Sequence, residues 1–127
     1  MILLDTVTFL WVVTGSSKLS KKAEELYLNE NNKVYLSSIS VWEIVIKYKL
    51  GKLPLPEKPD KYIPAQRKLH GVEPLPLEED DVVKLEKLKN LHSDPFDRML
   101  VCQAIARDFV IVTPDRLIRQ YSVKTVW

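Results

Sequence analysis

Four acidic side chains, Asp5, Glu43, Asp97 and Asp115, stand where this sequence could do chemistry. Asp5 follows the apolar run Ile2-Leu3-Leu4 directly, and Asp115 follows Val110-Ile111-Val112-Thr113-Pro114. In open parallel α/β sheets the ligand crevice lies just beyond the carboxyl ends of the strands, so both aspartates are expected at the same edge of one sheet. Glu43 sits among Val41, Trp42, Ile44, Val45 and Ile46, and a carboxylate in such poorly solvated surroundings wants a cation. Asp97 belongs to His92-Ser93-Asp94-Pro95-Phe96-Asp97-Arg98 and falls in the first turn of an apolar helix. The dipole favours its charge there, but burial calls for a partner, which Arg98 or a metal would supply. Carboxylates brought together without matching cations repel one another, and a hard divalent ion with oxygen ligands relieves that repulsion. Magnesium or manganese fits best. Such an ion lowers the pKa of a bound water and neutralises an in-line phosphoryl transition state, so the reaction class is phosphodiester hydrolysis.

Each of these residues also has a plainer structural role. Asp5 and Asp115 can cap or turn the segments that follow them. Ser40-Val41-Trp42-Glu43 fits a capping box, in which the glutamate reaches back to the cap amide. Asp94 before Pro95 reads as an N-cap with proline at the first helical position. Lys47, four residues after Glu43, is either an ordinary helix ion pair worth about 0.2–0.5 kcal/mol or a group that orients the carboxylate or touches phosphate. His70 and His92 do not form a metal pair by spacing, and each is expected to be a loop residue making ordinary hydrogen bonds.

The elements that must position these side chains follow from local patterns. Ile2–Leu4, Val34–Leu36, Val72–Leu75 and Val110–Val112 are short β-prone runs, with Val123 to Trp127 as a last edge strand. Helices are expected after Asp5, from Ser20 to Asn29, and from Ser40 to a stop at Gly51. Pro54, Pro56 and Pro59 mark a loop, and Pro64 should confine regular helix to the residues between it and His70-Gly71. Glu78 to Asp81 put four carboxylates in the first turn of a helix running to about Lys89, a structural placement that the dipole favours. Pro95 to Arg107 is apolar on nearly every side and reads as a packed helix. Alternating strands and helices predict an α/β fold: a central, mainly parallel sheet flanked by helices on both faces, because parallel strands require crossovers.

Bulk composition bounds the rest. A chain of 127 residues with 46% hydrophobic content is enough for one domain with one core. With 19 basic and 17 acidic side chains, the formal charge of +2 attracts a polyanion only weakly. Lys47, Lys49, Lys52, Arg98, Arg116 and Arg119 are candidates to hold a phosphate backbone, or else solvated surface charges. Trp11, Trp42 and Trp127 are expected in the core or an interface, with Trp127 available to a dimer contact. Cys102 is the only cysteine, which excludes an intramolecular disulfide and a Cys-based zinc site. No run approaches the length of a membrane span, so a soluble, cytoplasmic protein is expected.

With these residues in place, the whole chain resembles a PIN domain, and within that superfamily the VapC-type toxins of toxin–antitoxin pairs. The resemblance rests on Leu3-Leu4-Asp5-Thr6, on Ser40-Val41-Trp42-Glu43-Ile44 with Lys47 and Gly51, on Asp94-Pro95-Phe96-Asp97-Arg98-Met99-Leu100, and on Val112-Thr113-Pro114-Asp115. It implies a single PIN domain over residues 1–127, with Asp5, Glu43, Asp97 and Asp115 as ligands of Mg2+ or Mn2+ and Thr113 as a polar helper. It further implies endoribonuclease activity, a homodimer, and inhibition by a small antitoxin that inserts a segment into the groove. One departure is visible: many relatives carry histidine after Asp-Thr, where this chain has Val7.

Two other function classes compete. A non-catalytic RNA-binding or assembly module would keep the fold without cleaving. A phosphotransfer receiver or aspartyl-phosphate phosphatase also ends its first strand in aspartate, but the latter wants a second aspartate where Val7 stands, and a receiver wants an early acidic pair.

Overall fold

A computed structural model describes residues 1–127. Strands β1 (Ile2–Leu4), β2 (Val34–Ser37), β3 (Val72–Leu75), β4 (Val110–Val112) and β5 (Thr125–Val126) form one sheet in the order β3-β2-β1-β4-β5. Every pairing is parallel, with Leu4 level with Leu36 on one side and Val112 on the other. Helices α1 (Thr6–Thr14), α2 (Lys21–Leu28), α3 (Ser38–Lys49), α4 (Pro59–His70), α5 (Glu79–Val83) and α6 (Pro95–Arg107) make the crossovers. None is long and apolar enough to cross a membrane.

The two-residue period of β1 sorts the core. Ile2 and Leu4 join Phe9, Val12, Leu36, Ile44, Tyr62 and Ile63 on one face, under α1, α2, α3 and α4. Leu3 points the other way, to Ile111, Leu100, Val101 and Ala104 of α6 and its surroundings. All three residues are buried, as the central strand of a sheet covered on both faces requires. The chain runs outward from β1 through β2 to β3, then returns to lay β4 on the opposite side of β1. The switch point therefore lies between β1 and its neighbours.

Several local expectations are corrected. The cap of α3 is Ser37, whose Oγ accepts the Ile39 N–H, so the cap lies three residues before Ser40, and Ser40 is buried inside the helix. Glu43 is then the sixth residue of the helix, too far along to reach back to a cap amide. Pro59 is not in a loop but opens α4, where its fixed φ suits the first helical position. Pro64 lies inside that helix; the bond it cannot make would go to Asp60 near the exposed N-terminus, while Tyr62 and Ile63 are buried and hold the segment helical. The helix begun at Glu79 ends at Val83 and tightens to a 3-10 turn over Lys84–Lys87, since only Asp81 of α5 is buried.

Candidate functional site

The four acids meet in one cleft of about 290 Å³ at the carboxyl edge of the sheet, lined by Asp5, Thr6, Val7, Glu43, Lys47, Asp94, Asp97, Pro114 and Asp115. Asp5 and Asp115 arrive from adjacent strands, β1 and β4. Asp5 caps α1 by accepting the Thr8 N–H on Oδ1 (2.9 Å), while Oδ2 accepts from the Thr113 hydroxyl. Asp115 accepts the N–H groups of Leu117 and Ile118 on Oδ1 (2.8 and 3.2 Å), while Oδ2 turns toward His92. Capping and site geometry are thus not alternatives: one oxygen serves the backbone and the other is left to its neighbours across the sheet edge.

Glu43 reaches the cleft from α3 and is 6% exposed. Thr6 Oγ1 donates to its Oε1 and Lys47 Nζ to its Oε2, both at 2.6 Å. The cation expected beside this carboxylate is therefore Lys47, and the hydrogen bond to Glu43 raises the lysine's pKa. Asp94 caps α6 by accepting the Phe96 and Asp97 N–H groups on Oδ1. Asp97, one turn inside, faces the cleft with no hydrogen bond to Arg98. Adjacent helical residues do not face each other, and Arg98 instead donates to the carbonyls of Lys89 and His92 and to Tyr121 Oη.

Asp97 finds His92 instead, with Nε2 2.9 Å from its Oδ2 and 3.4 Å from Asp115 Oδ2. His92 is a loop residue making hydrogen bonds, as expected; what the structure adds is its place beside two of the acids. His92 is set there by the Asp94 N–H on its Nδ1 and by Tyr121 and Arg98 on its backbone, contacts that span up to 29 residues. Thr6, which bonds Glu43, was also missed, although it follows Asp5 directly.

The electrostatics match a site built for a cation. Burial pushes the Asp97 carboxyl up to about 7, and the charges of Asp94, Asp115 and Glu43 add to it. Burial also raises Asp5, against the hydrogen bonds from Thr113 and Thr8. The donor set facing the cleft is carboxylate oxygen, and neither Asp97 Oδ1 nor Asp94 Oδ2 accepts any hydrogen bond from the protein. Hard oxygen donors with spare lone pairs suit magnesium or manganese. Lys47 is the one lysine or arginine in the cleft lining; Lys49, Lys52, Arg116 and Arg119 are exposed outside it. Trp127 packs on Trp11, with ring centroids 5.7 Å apart, whereas Trp42 is 57% exposed and meets Phe96 edge-on.

Comparison with known proteins follows the same lines. The profile of the PIN domain family matches residues 2–124. Over 44 residues the chain is 48% identical to Ribonuclease VapC16 of Mycobacterium tuberculosis, a match spanning 35% of this chain and only 31% of that protein. Among solved structures, VapBC2 from Rickettsia felis bound to a promoter DNA fragment superposes with a TM-score of 0.72 at 20% identity, covering 100% of this chain and 99% of that one. DNA-bound VapBC from Salmonella typhimurium gives 0.67 at 21% identity, covering 98% and 96%. FitAcB from Neisseria gonorrhoeae gives 0.65 at 18%, covering 100% and 97%. At those identities the likeness is one of fold. The family profile spans nearly the whole chain and the sheet places the motif acids on one edge: the chain belongs to the PIN domain family.

Proposed function

We propose that this protein is a divalent-metal-dependent endoribonuclease, the toxin of a VapBC-type toxin–antitoxin pair, with Asp5, Glu43, Asp97 and Asp115 holding Mg2+ or Mn2+. The observation that carries the reading is the convergence of four carboxylates from four separate segments on one cleft, where burial and the neighbouring carboxylates push Asp97 up to about 7. When bound, the ion supplies an acidified water and screens the charge of the phosphoryl transition state. The protein's own part is to hold the ligands rigidly: Thr113 and Thr8 orient Asp5, Thr6 and Lys47 orient Glu43, and the N-terminus of α6 carries Asp94 and Asp97. Residues 1–127 act in this reading as one PIN domain.

The partners follow from the same reading: RNA in the cleft, a small antitoxin that blocks it, and a second copy of the chain as a homodimer, in the cytoplasm. The complexes named VapBC and the relative named ribonuclease support this by likeness. The test is cleavage of a mixed RNA panel by purified protein with Mn2+, Mg2+ or EDTA, beside Asp5→Asn. Cleavage that needs both metal and Asp5 is the expected result. RNA binding without cleavage at any metal concentration would replace it with the non-catalytic module.

A further inference from the structure

His92 lies between two of the acids, and its second ring nitrogen decides what it does there. The backbone N–H of Asp94 points at His92 Nδ1, 3.2 Å away. A backbone N–H can only donate, so Nδ1 is the acceptor and the ring proton sits on Nε2. Nε2 then has no lone pair to offer a metal. It hydrogen-bonds Asp115 Oδ2 at 3.4 Å and rests 2.9 Å from Asp97 Oδ2.

The loop that carries this ring is held from behind by two side chains that stay out of the cleft. The backbone N–H groups of Leu91 and His92 donate to Tyr121 Oη at 3.2 and 2.9 Å. Arg98 donates to the same oxygen at 3.3 Å and to the carbonyls of Lys89 and His92 at 3.0 and 3.4 Å. Tyr121 is buried in the α6-side core and Arg98 stands on α6 itself. A loop without regular structure is thereby fixed to the same helix that presents Asp97. Its exposed neighbours Leu91 and Ser93 flank a ring whose side chain is only 11% exposed.

We propose that His92 is a positioning residue for the acidic cluster: its Nε2–H hydrogen-bonds Asp115 while the same nitrogen rests against Asp97, and Arg98 and Tyr121 clasp the loop so that it does. His92 acts on the ligands and is not one of them. The ring stands between two carboxylates from different segments, the loop after β4 and the start of α6, and sets their separation before any cation arrives. Groups that orient ligands in this way are typically worth roughly 10–100-fold in metal affinity. The proposal rests on the metal-dependent reading of the cleft.

The test uses the whole chain and Mn2+ alone, followed by calorimetric titration, with thermal unfolding as the check on folding. His92→Ala is expected to weaken Mn2+ binding by about tenfold or more. His92→Gln, which offers an amide N–H near the place of Nε2, should recover most of that loss, and Tyr121→Phe should weaken binding in the same direction by releasing the loop. Pulsed electron paramagnetic resonance of the Mn2+-loaded protein should show no directly bonded nitrogen. In the metal-free protein, 15N spectra of His92 should show the proton on Nε2.

A directly bonded nitrogen, or a proton on Nδ1, overturns the proposal, as does wild-type Mn2+ affinity in folded His92→Ala. If that variant does not fold, His92→Gln and the 15N spectra decide. Wild-type protein that takes up no Mn2+ overturns the metal reading itself and this role with it. Retained binding in His92→Ala overturns only the role of His92.

Discussion

Thr113 Oγ1 donates to Asp5 Oδ2 across 108 positions of sequence. The same hydroxyl accepts the Asp115 backbone N–H at 3.0 Å. One side chain at the end of β4 therefore ties together the two acids at neighbouring strand ends, and it is fully buried while doing so.

Thr113→Val keeps the shape but removes both bonds. It should cost about 1–3 kcal/mol of stability, the usual penalty for leaving buried polar partners unsatisfied, and should weaken Mn2+ binding. Thr113→Ser keeps the hydroxyl and should lose only about 1 kcal/mol for the missing methyl group. Urea unfolding of the two variants, read against their Mn2+ affinities, checks this; a Thr113→Val variant as stable as wild type, or more stable than Thr113→Ser, would show that the hydroxyl bonds do not carry the effect.

Asp97 gives the metal response a pH dependence. Its carboxyl is raised by burial, then by Asp94, Asp115 and Glu43, from 3.8 to about 7. Between those values the native state binds more protons than the unfolded one, so this group's contribution to metal-free stability falls as pH rises from about 4 to 7 and is level above that. A cation must displace that proton. The rise in melting temperature on adding Mn2+ should therefore be small at pH 5.5 and grow through pH 7 to a plateau near pH 8; an increment that shrinks with pH would refute the assignment.

Asp97→Asn should separate function from stability. Removing a strained charge should stabilise the metal-free protein at pH 8 by part of the roughly 4 kcal/mol that a shift of about three pKa units represents, solvent screening taking up the rest. Metal-dependent RNA cleavage should be lost in the same variant. Denaturant unfolding in EDTA and the RNA panel test the two halves separately, and a variant less stable than wild type at pH 8 would contradict the first.

Away from the cleft, Asp81 is buried and Arg107 Nη2 meets its Oδ2 at 3.0 Å, joining α5 to α6. Burial alone would raise the Asp81 carboxyl, but the Arg107 hydrogen bond and the Glu78 N–H outweigh it and hold the carboxyl below its ordinary range. A lowered native pKa stabilises the fold above the unfolded value near 3.8, and that contribution is lost as pH falls below it. Arg107→Ala strands the buried carboxylate and should cost about 3 kcal/mol at pH 7, with a smaller cost at pH 3. Unfolding at the two pH values is the measurement, and an equal cost at both would contradict the pairing.

Much of this was legible locally. Apolar runs of three residues marked β1, β2 and β4, because a strand covered on both faces needs no polar alternation. Ser20 and Asp94 marked two helix starts through side chains that accept nearby N–H groups. An acid after Ile2-Leu3-Leu4 and another after Val110-Ile111-Val112 placed two candidates at strand ends. Where local cues failed, tertiary packing had overridden them: the start of α3 was set by Ser37, which caps the helix and also donates to Gln103 on α6, and α4 runs through Pro64 because Tyr62 and Ile63 are buried.

What the chain determined by itself was which residues end strands and open helices, because capping, proline geometry and apolar run length act over a few positions. Only the tertiary structure decided that β4 lies beside β1, that Thr6 serves Glu43, that Arg98 turns away from Asp97, and that His92 takes its place. Those relationships join residues far apart in sequence or on different faces of a turn. They form because β1 pairs with β2 on one side and β4 on the other, all parallel, which brings the strand-end acids to one edge.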